Sequence, residues 1–193
     1  MATLDRAFLA RLHRRDAEAL QAMVEQNARP LYRAARGMGF SHPEAEDLVQ
    51  GVFATFLETL DRFEGRSAVR TWLFGILHRK SLERYRQAAR DERHDPIDDV
   101  FESCFDTRGN WIRPPLELDR LAASSEARDA IQACLDQLPG LQRQAFVLRE
   151  VEQHDAQEVS NILGKTVTHV GVLFHRARMR LRQCLEAHGW GRR

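Results

Sequence analysis

The stretch DAQEVSNILGKTVTHVGVLFHRARMRLR, Asp155 to Arg182, decides how the rest of the chain is read. In its first part Ala156, Val159, Ile162 and Leu163 recur at helical spacing, with Asp155 and Glu158 as N-cap and N3 of a capping box. Gly164 follows where a helix closes on a left-handed residue, which a missing Cβ makes cheap, and Thr166 can cap a second helix two residues on. A turn this short predicts two crossing helices. On the second helix Val167, Val170, Phe174, Ala177, Leu181 and Leu185 form an apolar stripe that must be buried, leaving Thr168, His169, Val172, His175, Arg176 and Met179 opposite. Arg178, Arg180 and Arg182 flank that face, with only Glu186 to offset them. A helix that is polar at its start and cationic further along suits a DNA major groove, where bases are read near the helix start and arginines hold phosphates. An ordinary helical hairpin with a solvated basic face carries the same pattern.

At 193 residues and 43% hydrophobic content the chain can bury the core of one ordinary domain or two small ones. The formal net charge of +1 conceals an uneven distribution, with 62–90 and 165–193 basic and 91–119 acidic. Local patches set contacts with nucleic acid, so near-neutrality does not exclude it. Cys104, Cys134 and Cys184 are odd in number and form no C-x-x-C, the usage of a reduced cytosolic protein, and Cys134 and Cys184 read as small core residues beside apolar stripes. The N-terminus has no signal-type apolar segment, and no run of roughly 18 apolar residues exists, so neither export nor membrane insertion is expected. Cytoplasm is the expected location.

From the start, Leu4, Ala7, Phe8 and Leu12 mark a short amphipathic helix, and Asp16 caps a longer one running through Leu20, Met23, Val24, Leu31, Tyr32 and Ala35. Pro30 is expected to kink or interrupt it, and Gly37 and Gly39 to end it. Ser41-His42-Pro43-Glu44 is a second capping box, launching a helix to Leu60 that buries Leu48, Val49, Val52, Phe53, Phe56, Leu57 and Leu60. After the connector DRFEGRS the period resumes at Val69, Trp72, Leu73 and Ile76, and that fourth helix becomes basic at Arg79, Lys80, Arg84, Arg86 and Arg90. Phe63, Trp72, Phe74 and Tyr85 lie among these cations, the combination that unstacked bases need, although plain core packing is the simpler reading of Trp72. Residues 91–120 hold Pro96, Pro114, Pro115 and acidic residues without a period, and are expected to link two domains. Ser124 or Ser125 then caps a helix through Leu138, Pro139-Gly140 turns the chain, and Leu141 to Val151 leads into the opening hairpin. The fold expected is all-α, four helices, a linker and four more.

No metal site is expected, because no His or Cys stands at structural-zinc spacing, and no cofactor fingerprint or catalytic motif occurs. Glu46 and Asp47 are adjacent carboxylates, but neighbours on a helix diverge by about 100° and cannot share a proton. An enzyme is the weakest reading.

Four stretches taken together, EAEDLVQGVF (Glu44 to Phe53), RFEGRSAVRTWLFGIL (Arg62 to Leu77), LPGLQRQAFVLREVE (Leu138 to Glu152) and LFHRARMRLR (Leu173 to Arg182), resemble consecutive signatures of bacterial RNA polymerase sigma factors of the extracytoplasmic-function (ECF) group. The resemblance implies a region-2 four-helix domain over 1–90, an acidic linker over 91–120 and a region-4 helix-turn-helix domain over 121–193. It implies core RNA polymerase, promoter DNA and an anti-sigma factor as partners. By position, Asp47, Leu48 and Gln50 would meet the polymerase coiled coil. Phe63, Arg66, Ser67, Arg70, Thr71, Trp72, Arg79 and Lys80 would capture the minus-ten strand and a flipped base, whose unstacking costs a few kcal/mol that ring stacking and phosphate contacts offset. Thr166, Thr168, His169, Val172, His175, Arg176 and Arg178 would face the minus-thirty-five element, and the linker would thread the polymerase channel. Two departures stand out: Arg79 replaces the Asn of many members, and Gly171-Val172-Leu173 replaces a basic and polar triplet. The alternatives left open are a helix-turn-helix regulator that does not bind polymerase and an adaptor that binds only proteins.

Overall fold

The computed structural model describes residues 6–86 and 125–190, so the expected linker and the expectations for Ser124, Arg90 and Cys104 lie outside the described residues. The described residues are helical: α1 (Arg6–His13), α2 (Ala17–Gly37), α3 (His42–Thr59) with a 3-10 turn (Leu60–Arg62), α4 (Val69–Arg86), α5 (Ser125–Asp136), α6 (Gly140–Phe146) running into a π-helical turn (Val147–Val151), α7 (Ala156–Leu163) and α8 (Val167–Ala187). They gather into two compact units, one of residues 6–36, 40–86 and 157–165, the other of 37–39, 125–156 and 166–190.

In the first unit the helix starts follow local chemistry. Asp16 Oδ1 accepts the Ala19 amide at 2.9 Å, satisfying one of the donors that the first turn of α2 leaves open. That bond, with Arg11 at 2.6 Å, holds the Asp16 carboxyl below its ordinary range. At α3 the Glu44 carboxylate takes both the Ser41 amide (2.8 Å) and the Ser41 hydroxyl (2.6 Å), which lowers its pKa. Pro30 does not interrupt α2, which continues to Gly37. Asn27, Leu31, Ala34 and Ala35, on both sides of the proline, are buried, and this packing outweighs the lost backbone bond, a cost of about 3 kcal/mol.

The core of this unit is built from Leu48, Val49, Val52 and Phe56 of α3 against Leu73, Phe74, Ile76 and Leu77 of α4. The buried side of α4 is wider than the single stripe expected of it, since Thr71, His78 and Ser81 are covered as well. Phe63 and Phe74, at 1% and 0% exposure, pack into this core rather than standing open among the cations. Phe63 lies between Phe56 and Trp72, with ring centroids 6.1 and 5.3 Å away, because the 3-10 turn after α3 folds it inward. The side chain of Tyr85 lies outside the described residues.

In the second unit, Leu135, Leu138, Phe146, Ala177, Leu181 and Leu185 form the core between α5, α6 and α8. The π turn arises where the Glu152 amide bonds back to Val147 O at 3.0 Å, five residues away. Two expectations for α8 change. Val167 is 42% exposed, being in the first turn, and Met179, on the side opposite Ala177, is buried at 7%. The helix is therefore covered on more than one face, whereas a single stripe assumes one. Cys134 and Cys184 are also corrected: they are joined in a disulfide linking α5 to α8, their Cα atoms 5.8 Å apart, rather than two reduced core thiols. A separation of 50 residues gave the sequence no local sign of that meeting.

Candidate nucleic-acid interface

The first site is a cleft of about 210 Å³ in the first unit, lined by Arg62, Phe63, Glu64, Arg66, Ser67 and Trp72. The 3-10 turn ends at Phe63, whose carbonyl is 2.9 Å from His13 Nε2, and Gly65 takes a left-handed φ of 71° that turns the loop back toward α4. Arg66 is exposed and pairs with Glu64 at 2.5 Å. Trp72 forms the wall, half-buried, and its Nε1 is buried without a hydrogen-bond partner. A buried indole N–H left unpaired costs free energy. The cleft thus offers an aromatic wall and an exposed guanidinium.

Of the residues expected at the minus-ten strand, Phe63, Arg66, Ser67 and Trp72 share this cleft. Arg70 lies with its guanidinium 5.3 Å from the Phe74 ring centroid, and Thr71 is buried. Arg79 is exposed and follows Trp72 by seven residues, close to two helical turns, which puts it on the same face of α4 roughly 10 Å further along. Lys80 departs from that face. It lines a second cleft, of about 240 Å³, with Asp47, Leu48, Gly51, Glu83 and Arg84. Lys80 lies beside Gly51, where a Cβ would be in ordinary contact with Lys80 Cε and Nζ at 3.5 Å.

On α3, Asp47 and Gln50 are exposed and Leu48 is buried at 2%, so Leu48 supports the helix from beneath while the other two face outward. Gly164, after α7, has φ 63°, and in the second unit the Thr166 hydroxyl accepts the His169 amide at 3.2 Å, starting α8 as the sequence predicts. Thr166, Thr168 and His169 are exposed; Val172, His175, Arg176 and Arg178 are partly buried. Burial, then the Arg178 and Arg149 charges, holds the His175 pKa below the ordinary 6.5, so its ring is neutral in neutral solution.

Sequence reading missed the support beneath this face. Phe174 stacks on Phe146 at 6.2 Å, and the Arg149 and Arg178 guanidiniums lie 5.6 and 5.4 Å from its centroid. Arg178 is therefore fixed by an aromatic ring rather than freely extended. It also missed the meeting of Cys134, Cys184 and His188, whose ligand atoms all lie within 4.8 Å. The i, i+4 spacing of Cys184 and His188 on one helix was the available signal.

Residues 23–91 match the sigma-70 region 2 family and residues 128–181 match sigma-70, region 4. A probable RNA polymerase sigma factor of Haemophilus influenzae is 32% identical over 73% of this chain and 76% of its own length. The chain belongs to the RNA polymerase sigma factors, of the ECF type with regions 2 and 4. It is a factor that directs RNA polymerase, not an enzyme. The ECF sigma factor SigX of Bacillus subtilis is 28% identical over 88% of this chain and 84% of its own length. Among solved structures, CnrH in complex with the cytosolic domain of CnrY has the same fold, with a TM-score of 0.68 and 24% identity over 95% of this chain and 97% of that one. The sigma factor RpoE of Bartonella quintana, in complex with the anti-sigma factor NepR, has a TM-score of 0.60 at 22% identity over 88% and 95%. Among the described residues no helix is long and apolar enough to cross a membrane.

Proposed function

We propose that this sigma factor uses its two sites in division of labour, with region 2 over 1–90 and region 4 over 121–193 joined by a linker over 91–120. In this reading the exposed Asp47 and Gln50 of α3 dock on core polymerase. The cleft of Phe63, Arg66, Ser67 and Trp72 receives a base flipped from the minus-ten strand, and the exposed Arg79 holds the backbone beyond it. The N-terminal turns of α8 present Thr168, His169, Val172, His175 and Arg176 to the minus-thirty-five duplex, while Arg178 faces phosphate. The observation that carries it is the half-buried Trp72 wall beside the exposed Arg66 in one cleft.

The factor works in the cytoplasm and is held inactive by an anti-sigma protein, a reading supported by the solved RpoE of Bartonella quintana, captured in complex with the anti-sigma factor NepR. Pull-down with purified core enzyme tests the docking surface. Asp47→Ala with Gln50→Ala is expected to weaken core retention at least tenfold while circular dichroism stays unchanged. Undiminished retention would refute that surface.

A further inference from the structure

The Cys134–Cys184 pair stands outside every role described so far. Cys134 is in α5 at 1% exposure, while Cys184 lies in the last turn of α8 and is half-exposed. His188 caps that helix end, and its Nδ1 is 2.8 Å from Cys184 O, 3.8 Å from Cys184 Sγ and 4.0 Å from Cys134 Sγ. The bond closes a separation of 50 residues that takes in α6, the π turn, α7 and most of α8. Around it pack Leu135, Leu181, Leu185 and Trp190, the core that fixes α8. Cys184 is about 24 Å along α8 from Thr168, so a change at the sulfurs reaches the DNA-facing turns only through helix packing.

We propose that Cys134 and Cys184 form a reversible thiol–disulfide site with His188 as its positioning residue, and that its oxidation state sets how firmly α8 is held for promoter reading. The second half of this inference rests on the reading of α8 as the DNA-facing helix; the redox site itself does not. The accessible Cys184 sulfur is the one that a small thiol such as glutathione attacks. A mixed disulfide forms on Cys184, the Cys134–Cys184 bond breaks, and Cys134 leaves as a thiolate. His188 Nδ1 donates to Cys184 O at 2.8 Å, and this bond holds the imidazole ring edge 3.8 and 4.0 Å from the two sulfurs, where its dipole can stabilise that anion. A second glutathione thiolate then attacks the glutathione sulfur of that mixed disulfide, forming glutathione disulfide and releasing Cys184 as a thiolate. The sum is one protein disulfide and two glutathione thiols giving two protein thiols and one glutathione disulfide, a two-electron exchange that runs backward when glutathione disulfide accumulates. In a reducing cytoplasm persistent disulfides are rare and those found are mostly catalytic or redox-sensing, which favours a switch over a permanent brace.

The experiment uses the full-length chain with Cys104→Ser, leaving only this pair. The protein is poised in a series of glutathione and glutathione-disulfide ratios, quenched with an alkylating agent and weighed by mass spectrometry. Two alkyl groups are expected to appear together as the poise becomes reducing. The thermal midpoint is expected to fall with the same titration, by roughly 10 °C, because the closed loop no longer restrains the unfolded chain. His188→Gln is expected to slow exchange several-fold while the oxidised protein keeps its midpoint, a split that a merely structural role would not give. A pair that stays linked, or stays fully reduced, at every ratio overturns the redox site, as does a stoichiometric zinc ion that co-purifies and blocks oxidation. Holoenzyme affinity for a minus-thirty-five duplex is measured at both ends of the titration and is expected to drop several-fold on reduction. Unchanged affinity with an intact thiol titration overturns only the link to promoter reading, and loss of core binding in both states would instead count against the sigma-factor sites.

Discussion

Trp72 carries two loads at once. Its ring packs at 5.3 Å on the buried Phe63, while its Nε1 is buried without a partner. Trp72→Ala removes both and is expected to cost about 2 kcal/mol in urea unfolding, through lost burial and the space left beside Phe63. Trp72→Phe keeps most of the packing and removes the donor. It is expected to stay within about 1 kcal/mol of the parent in stability, yet to lower strand opening at a promoter several-fold in a permanganate footprint. Equal opening by the two proteins would show that the indole N–H meets no base. His175 supplies a test by pH. Burial beside Arg178 and Arg149 depresses its folded pKa, so as pH falls the unfolded chain takes up the proton first. The stability it contributes is present above about pH 6.5 and declines as pH drops through that value toward the lower folded pKa. His175→Gln is expected to flatten this part of the unfolding midpoint's pH profile, measured between pH 7.5 and 5 as roughly the range over which a histidine titrates.

Among the elements, the helix starts were legible because capping is local. Asp16, Ser41 with Glu44, Gly164 and Thr166 each act within four residues of where the sequence places them. What periodicity could not supply was which face of a helix another element covers. In α4 the phase of Trp72 repeats at Arg79 but not at Lys80, so Lys80 turns to Asp47 and Gly51 while Arg79 stays in line with the cleft. In α8 the stripe was drawn one turn too early, at the exposed Val167, and omitted Met179. Gly171 was expected to weaken this helix, and a Cβ built there meets nothing within 4 Å. Gly171→Ala is therefore expected to stabilise the second unit by about 0.5–1 kcal/mol in chemical denaturation. A loss of stability would mean that the glycine answers to a close approach by something other than this chain.

At the level of the whole molecule, the all-helical class, the region 2 and region 4 domains and the family were readable from ordered motifs, since each motif is a local pattern of apolar spacing and turn residues. The stacking of Phe174 on Phe146 and the meeting of Cys134 with Cys184 were not, because each joins residues far apart in sequence, and the internal placement of Phe63 follows from the 3-10 turn after α3, which apolar spacing does not reveal. The central claim is that one surface on α3 holds polymerase while the Trp72 cleft and α8 hold the promoter. Run-off transcription with purified core enzyme, on a promoter located by mapping transcript starts after overexpression, tests it most directly. The account predicts start-specific transcripts that fall at least tenfold with Asp47→Ala plus Gln50→Ala, and also with Trp72→Ala at a temperature where that variant remains folded. Transcripts undiminished by both sets of substitutions would contradict it.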